Sequence, residues 1–551
     1  MKCSVRNLFR NTDGAVAPTI ALSLIGLIAA GGIAFDYARL AAMDTELQNA
    51  ADQAALAAVT QLDGTAGATT RAIAAAQSLL ANQTRFSNDG SGVAIETGQT
   101  TGTTIRVHFF ANKTDAEADT NAFEATASNA DTLAHFVKVE VTERRANYAL
   151  TPIAAAFRSG DIGAEATAGM GSAICKVPPV MICNPNEGGD PNFTVANYVG
   201  KGLRLVSVGN GNGAWSAGNF GYLNTHGGSN GVPGLQEALG WVTPPGDCIS
   251  TTGVDTKPGG STPATDAINT RFDIYDNGAC QAGGSCPPSI DTVKDVVRPG
   301  NANGNNACRL HNSGWQEVSG ATTYLPDSTD ALTAITTTPA AMGLPRDMCH
   351  AAVSSAANYC AGPVGTGAWD RDAYFRTNYG WATAAWKTNT GLGSSATRYQ
   401  VYSWEIAHRG QTIGGAVVLG PRTAQGNGAN ALTAQNSPVC SSIQTPSYGT
   451  GIVPGGTNVD RRRLSVAVVN CSNGDDGQPV NGNSTGVTVK KWIEIFLVEP
   501  SLNRGVVSSG ANARSGTNAG DVYAEVIGET TSGAGGTAGQ VVHRDVPYLV
   551  R

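Results

Sequence analysis

The stretch GAVAPTIALSLIGLIAAGGIAFDYARLAAMDTELQNAADQAALAA, residues 14–58, determines how the N-terminal part of this chain folds. Its first half, from Gly14 to Phe35, has no charged side chain and is as long as the ~20 residues that a helix needs to cross a hydrocarbon core. Its second half, from Asp36, is rich in alanine and contains neither glycine nor proline, so nothing interrupts a helix there. The stretch predicts a transmembrane helix that continues outside the membrane as a long polar helix.

The basic residues that precede the apolar segment predict its orientation. Lys2, Arg6 and Arg10 precede it, and a basic flank tends to stay in the cytoplasm. We expect a cytoplasmic stub over residues 1–13 and an exported C-terminal region. Two processing alternatives stay open: removal of a signal peptide after Ala34, and cleavage directly after Gly14.

Ten of the eleven cysteines follow the apolar segment, and only Cys3 precedes it. An even set of cysteines on one side of a membrane is typical of disulfides in an oxidising compartment. Near neighbours predict the pairs Cys175–Cys183, Cys349–Cys360 and Cys440–Cys471. The disulfide candidates are Cys175, Cys183, Cys248, Cys280, Cys286, Cys308, Cys349, Cys360, Cys440 and Cys471.

A narrow stripe of small and apolar side chains follows the membrane segment. Leu40, Met43, Leu47, Ala50 and Ala54 recur at helical spacing, and polar residues cover the rest of the helix. Such a seam allows a neighbouring element to approach closely. Two interpretations stay open: lateral packing on other proteins of an assembly, including further copies of this chain, or packing on the protein's own domain.

The same stretch resembles the N-terminal signature of TadE/TadG-like Flp pilus-assembly proteins. The resemblance is carried by Gly14–Ala17, the pair Asp36–Tyr37 and the helix Leu47–Ala58. It implies a role in building tight-adherence pili at the bacterial inner membrane, with pilin-like and pilus-assembly proteins as partners. Pilins of this system carry glutamate at the position of Thr19, so the departure favours a retained anchor over incorporation into the filament.

A looser resemblance to long TadG-like proteins extends over the rest of the chain. The segments that carry it are CKVPPVMICNPNE (175–187), NTRFDIYDNG (269–278), LPRDMCH (344–350), WDRDAYF (369–375), TRYQVYSWE (397–405) and RRRLSVAVVNC (461–471).

The exported part divides into a compact and a loop-rich region. Residues 36–172 combine the long helix, a second helix over 71–83, and alternating strands such as TIRVHFF and FVKVEVTE. Residues 173–551 are rich in glycine and asparagine, and their clearest strands are RRLSVAVVN, VTVKKWIEIFLVEP and VYAEVIGE. The predicted fold is α+β: a transmembrane helix (14–35), a pilin-like helix on a small antiparallel sheet (36–172), and a disulfide-linked β-rich region (173–551).

No catalytic, cofactor or metal motif stands out. A net charge of −7 without long basic runs argues against a nucleic-acid partner. His350 lies beside Cys349 and near Asp347, but a disulfide to Cys360 would remove the thiolate that nucleophilic catalysis requires. We expect a non-enzymatic, membrane-anchored scaffold for pilus assembly. The alternatives are a secreted or surface-exposed adhesin and, less favoured, a periplasmic enzyme.

Overall fold

The structure is a computed structural model that describes residues 16–80, 105–147, 150, 159–175, 178–207, 218–224, 231–242, 249–250, 253–257, 262–276, 280, 286–317, 340–352, 354, 357, 359–440, 451–456, 458–472, 479–480, 483–503, 519–530 and 542–550. The described residues form two compact units. Unit 1 contains those up to Gly171 and those from Asp545, and unit 2 contains those within Ser172–Arg544.

Ten α-helices lie in the described part of the chain. They are α1 (Val16–Val59), α2 (Ala68–Leu80), α3 (Lys113–Ala118), α4 (Ala130–Leu133), α5 (Val232–Gly240), α6 (Thr262–Asn269), α7 (Met348–Ala351), α8 (Arg371–Tyr379), α9 (Thr383–Thr390) and α10 (Arg398–Ala407). Three short 3-10 turns cover Val195–Asn197, Thr270–Phe272 and Gly428–Asn430.

Nineteen strands accompany these helices among the described residues. They are β1 (Ile105–Phe110), β2 (Phe136–Asn147), β3 (Ser159–Cys175), β4 (Val180–Cys183), β5 (Gly202–Ser207), β6 (Asn219–Leu223), β7 (Ile249–Ser250), β8 (Gly253–Val254), β9 (Thr256–Lys257), β10 (Val296–Pro299), β11 (Gln316–Glu317), β12 (Thr412–Ile413), β13 (Ala416–Val417), β14 (Arg422–Gln425), β15 (Leu432–Ala434), β16 (Arg463–Val469), β17 (Val487–Leu497), β18 (Val522–Glu529) and β19 (Val542–Leu549). The mixed α and β architecture predicted from the sequence is confirmed.

Unit 1 is a helical layer on a sheet whose main strands follow the order β1-β2-β3-β19. Strands β1 and β2 pair antiparallel with Val107 opposite Val139 and Phe109 opposite Val137. The apolar alternation in both strands puts these side chains on the face that packs against α1 and α2. Alanines of β3 lie on the same face, including Ala166 opposite Val139, and allow the helices to approach the sheet closely.

The C-terminal strand corrects the predicted domain boundaries at one end. The prediction assigns all of residues 173–551 to one region, whereas the residues from Asp545 belong to unit 1. Strand β19 lies beside β3, and the amide of Val550 donates to the carbonyl of Thr167 over 2.7 Å. Tyr548 packs with Phe110 and Phe136 at the end of the sheet. The chain of unit 2 is therefore inserted between two strands of unit 1.

Unit 2 is built around a closed six-stranded barrel. The strands pair in the order β16-β4-β6-β5-β18-β17, and β17 pairs with β16 to complete the ring. Two of these pairs are parallel, β16 with β4 and β5 with β6, and the others are antiparallel. Closure leaves these six strands without the unpaired edges of an open sheet.

Alternate side chains of all six barrel strands fill one apolar core. They are Val180, Ile182, Leu203, Leu205, Phe220, Tyr222, Leu464, Val466, Val468, Ile493, Ile495, Leu497, Val522, Ala524 and Val526. Helices α5 and α6 pack against the same core through Leu235, Leu239 and Ile268.

Two further layers of unit 2 surround the barrel. Helices α8, α9 and α10 form an aromatic cluster that packs on Phe496 and Tyr523, which belong to the barrel strands β17 and β18. A separate sheet has the strand order β11-β10-β15-β14.

Two of the helices in the aromatic cluster have well-defined ends. Thr397 begins α10 as a capping box with Gln400, and Gly380 ends α8 in the left-handed region.

Candidate functional site on the N-terminal helix

The N-terminal half of α1 exposes large apolar side chains over about five turns. Ile20, Leu24, Leu27 and Phe35 are all more than half exposed. Among the described residues, α1 is the one helix long and apolar enough to cross a membrane, over Pro18–Val59. Pro18 lies in the first described turn of this helix. The predicted start at Gly14 lies outside the described residues.

Contacts between α1 and the rest of unit 1 begin around Gly32. A side chain at this position would meet Leu150, because a β-carbon added to Gly32 would lie 3.1 Å from the Cβ of Leu150. One turn later Asp36 is buried, and its Oδ2 accepts a hydrogen bond from the backbone amide of Leu150 over 2.8 Å. The neighbouring Tyr37 is exposed. The helix therefore changes character at the predicted membrane boundary.

The predicted seam residues follow Asp36 on the packed face of α1. Met43 and Leu47 are 4% and 2% exposed, Ala54 is fully buried, and Leu40 and Ala50 are half-buried. The buried stripe continues to Ala58, as the helical spacing predicts, and is wider than that pattern because Ala51, Ala55 and Val59 are also buried. Toward the C-terminal end of α1, from Ala51 to Val59, two residues of most turns are buried, because a sheet contacts a broad face of a helix.

The seam packs within unit 1. Leu47 and Ala54 belong to one core with Ala72 of α2, Val139 of β2 and Ala166 of β3. Gln48 at the edge of the seam donates to the carbonyl of Glu165 over 2.8 Å. Of the two interpretations of the stripe, packing on the protein's own domain accounts for these contacts, and the buried side chains are not available to another protein.

Four disulfides lie among the described residues: Cys183–Cys471, Cys280–Cys286, Cys308–Cys440 and Cys349–Cys360. The predicted pair Cys349–Cys360 is present. The predicted pairs Cys175–Cys183 and Cys440–Cys471 are wrong, because strands β4 and β16 lie side by side and bring Cys183 to Cys471 instead. Cys3 and Cys248 lie outside the described residues, as does the side chain of Cys175.

His350 is held inside unit 2 by hydrogen bonds to both of its ring nitrogens. Its Nε2 donates to the carbonyl of Gly362 and its Nδ1 shares a hydrogen bond with the hydroxyl of Tyr523, both over 3.0 Å. Burial lowers the pKa of His350 to about 4. The ligand atoms of Cys349, His350 and Cys360 lie within 4.8 Å of one another, but the two sulfurs are bonded to each other. Neither a thiolate nor a basic imidazole is presented here.

Asp347, which was considered with Cys349 and His350 for nucleophilic catalysis, belongs to a buried ion cluster. Arg398 Nη2 lies 2.5 Å from Asp347 Oδ1, and its Nη1 lies 3.0 Å from Glu525 Oε2. All three side chains are inaccessible to solvent. Glu525 also accepts the first two backbone amides of α10. The cluster therefore fixes the start of α10 on barrel strand β18.

A second buried cluster surrounds Glu405 of α10. The hydroxyls of Tyr374 and Tyr379 each donate to its Oε1 over 2.6 Å. Burial and the nearby Asp291 carboxylate raise the pKa of Glu405 well above its usual range. The segments that resemble long TadG-like proteins contribute much of these clusters, including Arg398 and Glu405 from TRYQVYSWE. The charged residues Asp347, Arg398 and Glu405 of these segments therefore lie inside unit 2 and hold its elements together.

The four clustered tryptophans also serve packing. Trp369, Trp381, Trp386 and Trp404 are buried in the aromatic cluster of α8, α9 and α10. Phe375 stacks on Trp386 with ring centroids 4.8 Å apart. Sequence reasoning missed the buried arginines Arg271, Arg398, Arg461 and Arg462, because arginine is usually exposed and no shared sequence pattern sets these four apart.

Comparison with known proteins places the recognisable part of the chain on α1 and most of α2. Residues 14–77 match the family model described as "Putative Flp pilus-assembly TadE/G-like". The resemblance identified from residues 14–58 is thereby confirmed for this segment. Neither a curated protein nor a solved structure matches the chain.

Proposed function

We propose that this protein is a membrane-anchored, non-enzymatic assembly or scaffolding component of a tight-adherence (Flp-type) pilus. One observation carries the proposal: the segment that matches the pilus-assembly family is the helix that exposes an apolar half and packs its other half on unit 1. A single rigid helix would therefore connect the membrane to a folded domain.

The proposed topology places the N terminus in the cytoplasm and both units in the periplasm. Lys2, Arg6 and Arg10 on the N-terminal side support this orientation. The four disulfides support it independently, because all eight of their cysteines follow the helix and disulfides persist in oxidising compartments.

The internal packing of the seam changes how assembly would work. Met43, Leu47 and Ala54 hold unit 1 against its own anchor. Partners, whether pilin-like proteins or further copies of this chain, would meet the lipid-facing side of α1 or the outer surfaces of the two units. The non-enzymatic part of the proposal is supported by the candidate residues themselves, since Cys349 is bonded to Cys360 and Asp347 is paired with Arg398.

The anchor is tested by the N-terminal sequence and the intact mass of the native protein from separated membrane and soluble fractions. An uncut N terminus that stays in the membrane at alkaline pH is the expected result. A start at Phe35 in the soluble fraction would contradict the anchor and favour the secreted adhesin. A start at Ala15 would instead indicate processing like that of a pilin, despite Thr19.

The assembly role needs a separate test in the producing cell. Residues 36–551 are exported from a cleavable secretion signal, so that the folded units reach the periplasm without the anchor. We expect normal levels of soluble protein and loss of pili. The matched control keeps the anchor and carries Leu27→Ile, which preserves the apolar surface. Normal piliation by the soluble form would show that the membrane segment serves export alone.

A further inference from the structure

A cleft of about 450 Å³ on unit 2 has a lining that the proposed function does not explain. It lies where β10 is flanked by β11 on one side and β15 on the other, and its walls are the loop after β10, the turn before β11 and the turn before β15. Six side chains of its lining are amides or hydroxyls: Asn301, Asn303, Asn312, Ser313, Gln316 and Asn430. The other three, Pro299, Ala302 and Leu432, are apolar, and none of the nine lining residues is charged.

The walls of the cleft are held by buried groups behind them. Arg298 donates from Nε to the carbonyl of Ala307 over 2.7 Å and from Nη2 to that of Ala302 over 3.1 Å, which fixes the loop after β10. The disulfide Cys308–Cys440 ties the same loop to the segment beyond β15. A site whose walls are fixed before binding loses little conformational entropy when a ligand enters.

The turn on the opposite wall is equally constrained. Trp315 is fully buried, and its indole N–H donates to the carbonyl of Asp273 over 2.8 Å. The amide of Gly314 donates to the carbonyl of His311 over 2.8 Å, which closes a tight turn. This turn presents the side chain of Asn312 to the cleft, and that amide makes no hydrogen bond to any described residue.

The chemistry of the lining selects the class of ligand. A carboxamide offers donors and acceptors together, which matches a sugar hydroxyl that is itself both donor and acceptor. Charged ligands are instead bound by arginine, lysine or carboxylate groups, which this lining lacks. Asn301 donates to Asn430 across the wall over 2.7 Å, which leaves the Oδ1 of Asn301 and the Nδ2 of Asn430 for a ligand.

We infer that this cleft binds a neutral saccharide. Its volume lies in the ~300–1,000 Å³ range of small-molecule sites and suits one or two sugar rings. Pro299 and Leu432, paired across β10 and β15, provide an apolar floor for the C–H face of a ring, and the surrounding amides receive its hydroxyls. The site would give a scaffold of the cell envelope a contact with glycans.

The test is binding of neutral disaccharides to the full-length protein, held in a detergent without a sugar headgroup. Isothermal titration is done with maltose and with the disaccharide of N-acetylglucosamine, which separates plain hexoses from acetamido sugars. We expect saturable binding of at least one, with an affinity that is unchanged between about 0.05 and about 0.5 M salt, because no ionic contact contributes.

Variants of the lining test the location of the site. The double variant Asn312→Ala with Asn430→Ala removes two amides, and we expect it to weaken binding about tenfold or more. The matched control is Asn305→Ala, an exposed amide of the same loop that does not line the cleft, and it should bind as the unaltered protein does. Absence of disaccharide binding at about 10 mM, where even a mM affinity is detected, would overturn the inference. Equal binding by the double variant would also overturn it.

Discussion

The substitution Ala54→Glu distinguishes internal packing of the α1 seam from an assembly interface. Ala54 of α1 is fully buried against α2 and the sheet of unit 1, in a core with Leu47 and Val139. A carboxyl group introduced there has neither a charged partner nor water among its apolar neighbours. It must therefore be protonated for unit 1 to stay folded.

The magnitude follows from the proton and from the added volume. Protonating a carboxyl group of ordinary pKa ~4.3 at pH 7 costs about 4 kcal/mol, at 1.36 kcal/mol per pH unit. Forcing the extra heavy atoms into a close-packed alanine seam adds about 1–3 kcal/mol. The total of about 5–7 kcal/mol approaches the whole free energy of unfolding of a typical domain. The buried carboxyl has a raised pKa in the folded state, so the loss is greatest at neutral pH and smaller toward pH 5.

Hydrogen–deuterium exchange of the protein in detergent measures this loss locally. Peptides from α1 and β2 should lose protection in the Ala54→Glu protein, while peptides from the barrel of unit 2 should keep it. The matched control is Gln53→Glu, which adds the same charge one residue away on the exposed face and should change stability by no more than about 0.5 kcal/mol.

Piliation of the same strains completes the test. If the seam packs internally, the Ala54→Glu strain should lose its pili because unit 1 unfolds, so that loss of pili and loss of exchange protection in unit 1 occur together. Full protection of α1 and β2 in a strain that has lost its pili would refute internal packing, because the residue would then act on another protein.

Three further predictions concern other parts of the fold. His350→Gln should remove a loss of stability at acid pH, because the folded protein holds the pKa of His350 at about 4 against an ordinary 6.5. In urea unfolding, the free energy of unfolding of the unaltered protein should fall by about 3 kcal/mol more than that of the variant between pH 6.5 and pH 4. Replacing both Cys183 and Cys471 by serine should destabilise unit 2 by about 2–5 kcal/mol, measured by thermal unfolding without reductant, since this bridge joins residues 288 apart. Deleting Asp545–Arg551 should reduce exchange protection of β3 in unit 1 and leave that of the barrel unchanged.

Features determined by local periodicity were predictable from the sequence. The uncharged segment and the alanine stripe gave α1 to within a few residues of its observed end at Val59. The alternation of apolar and polar side chains predicted β1 and β2, whose apolar residues Val107 and Val139 are paired side by side in the sheet. Both patterns report how a single element divides its surface between core and solvent.

Features that depend on contacts between distant segments were not predictable. The disulfide Cys183–Cys471 follows from the parallel pairing of β4 with β16, which no sequence spacing indicates. The burial of Arg398 is likewise hidden, because arginine is usually exposed and its two carboxylate partners lie 51 and 127 residues away. The amide-lined cleft combines three loops and carries no sequence motif.

The position of β19 has a consequence for synthesis of the chain. A ribosome makes α1, β1, β2 and β3 first, and the whole of unit 2 follows before β19 is made. During that interval β3 lacks the neighbour that covers it in the finished sheet, and an uncovered strand edge is prone to pair with other chains. Completion of this sheet thus marks a chain whose inserted unit has already been made, and an interrupted chain would be distinguished by an open strand edge at β3.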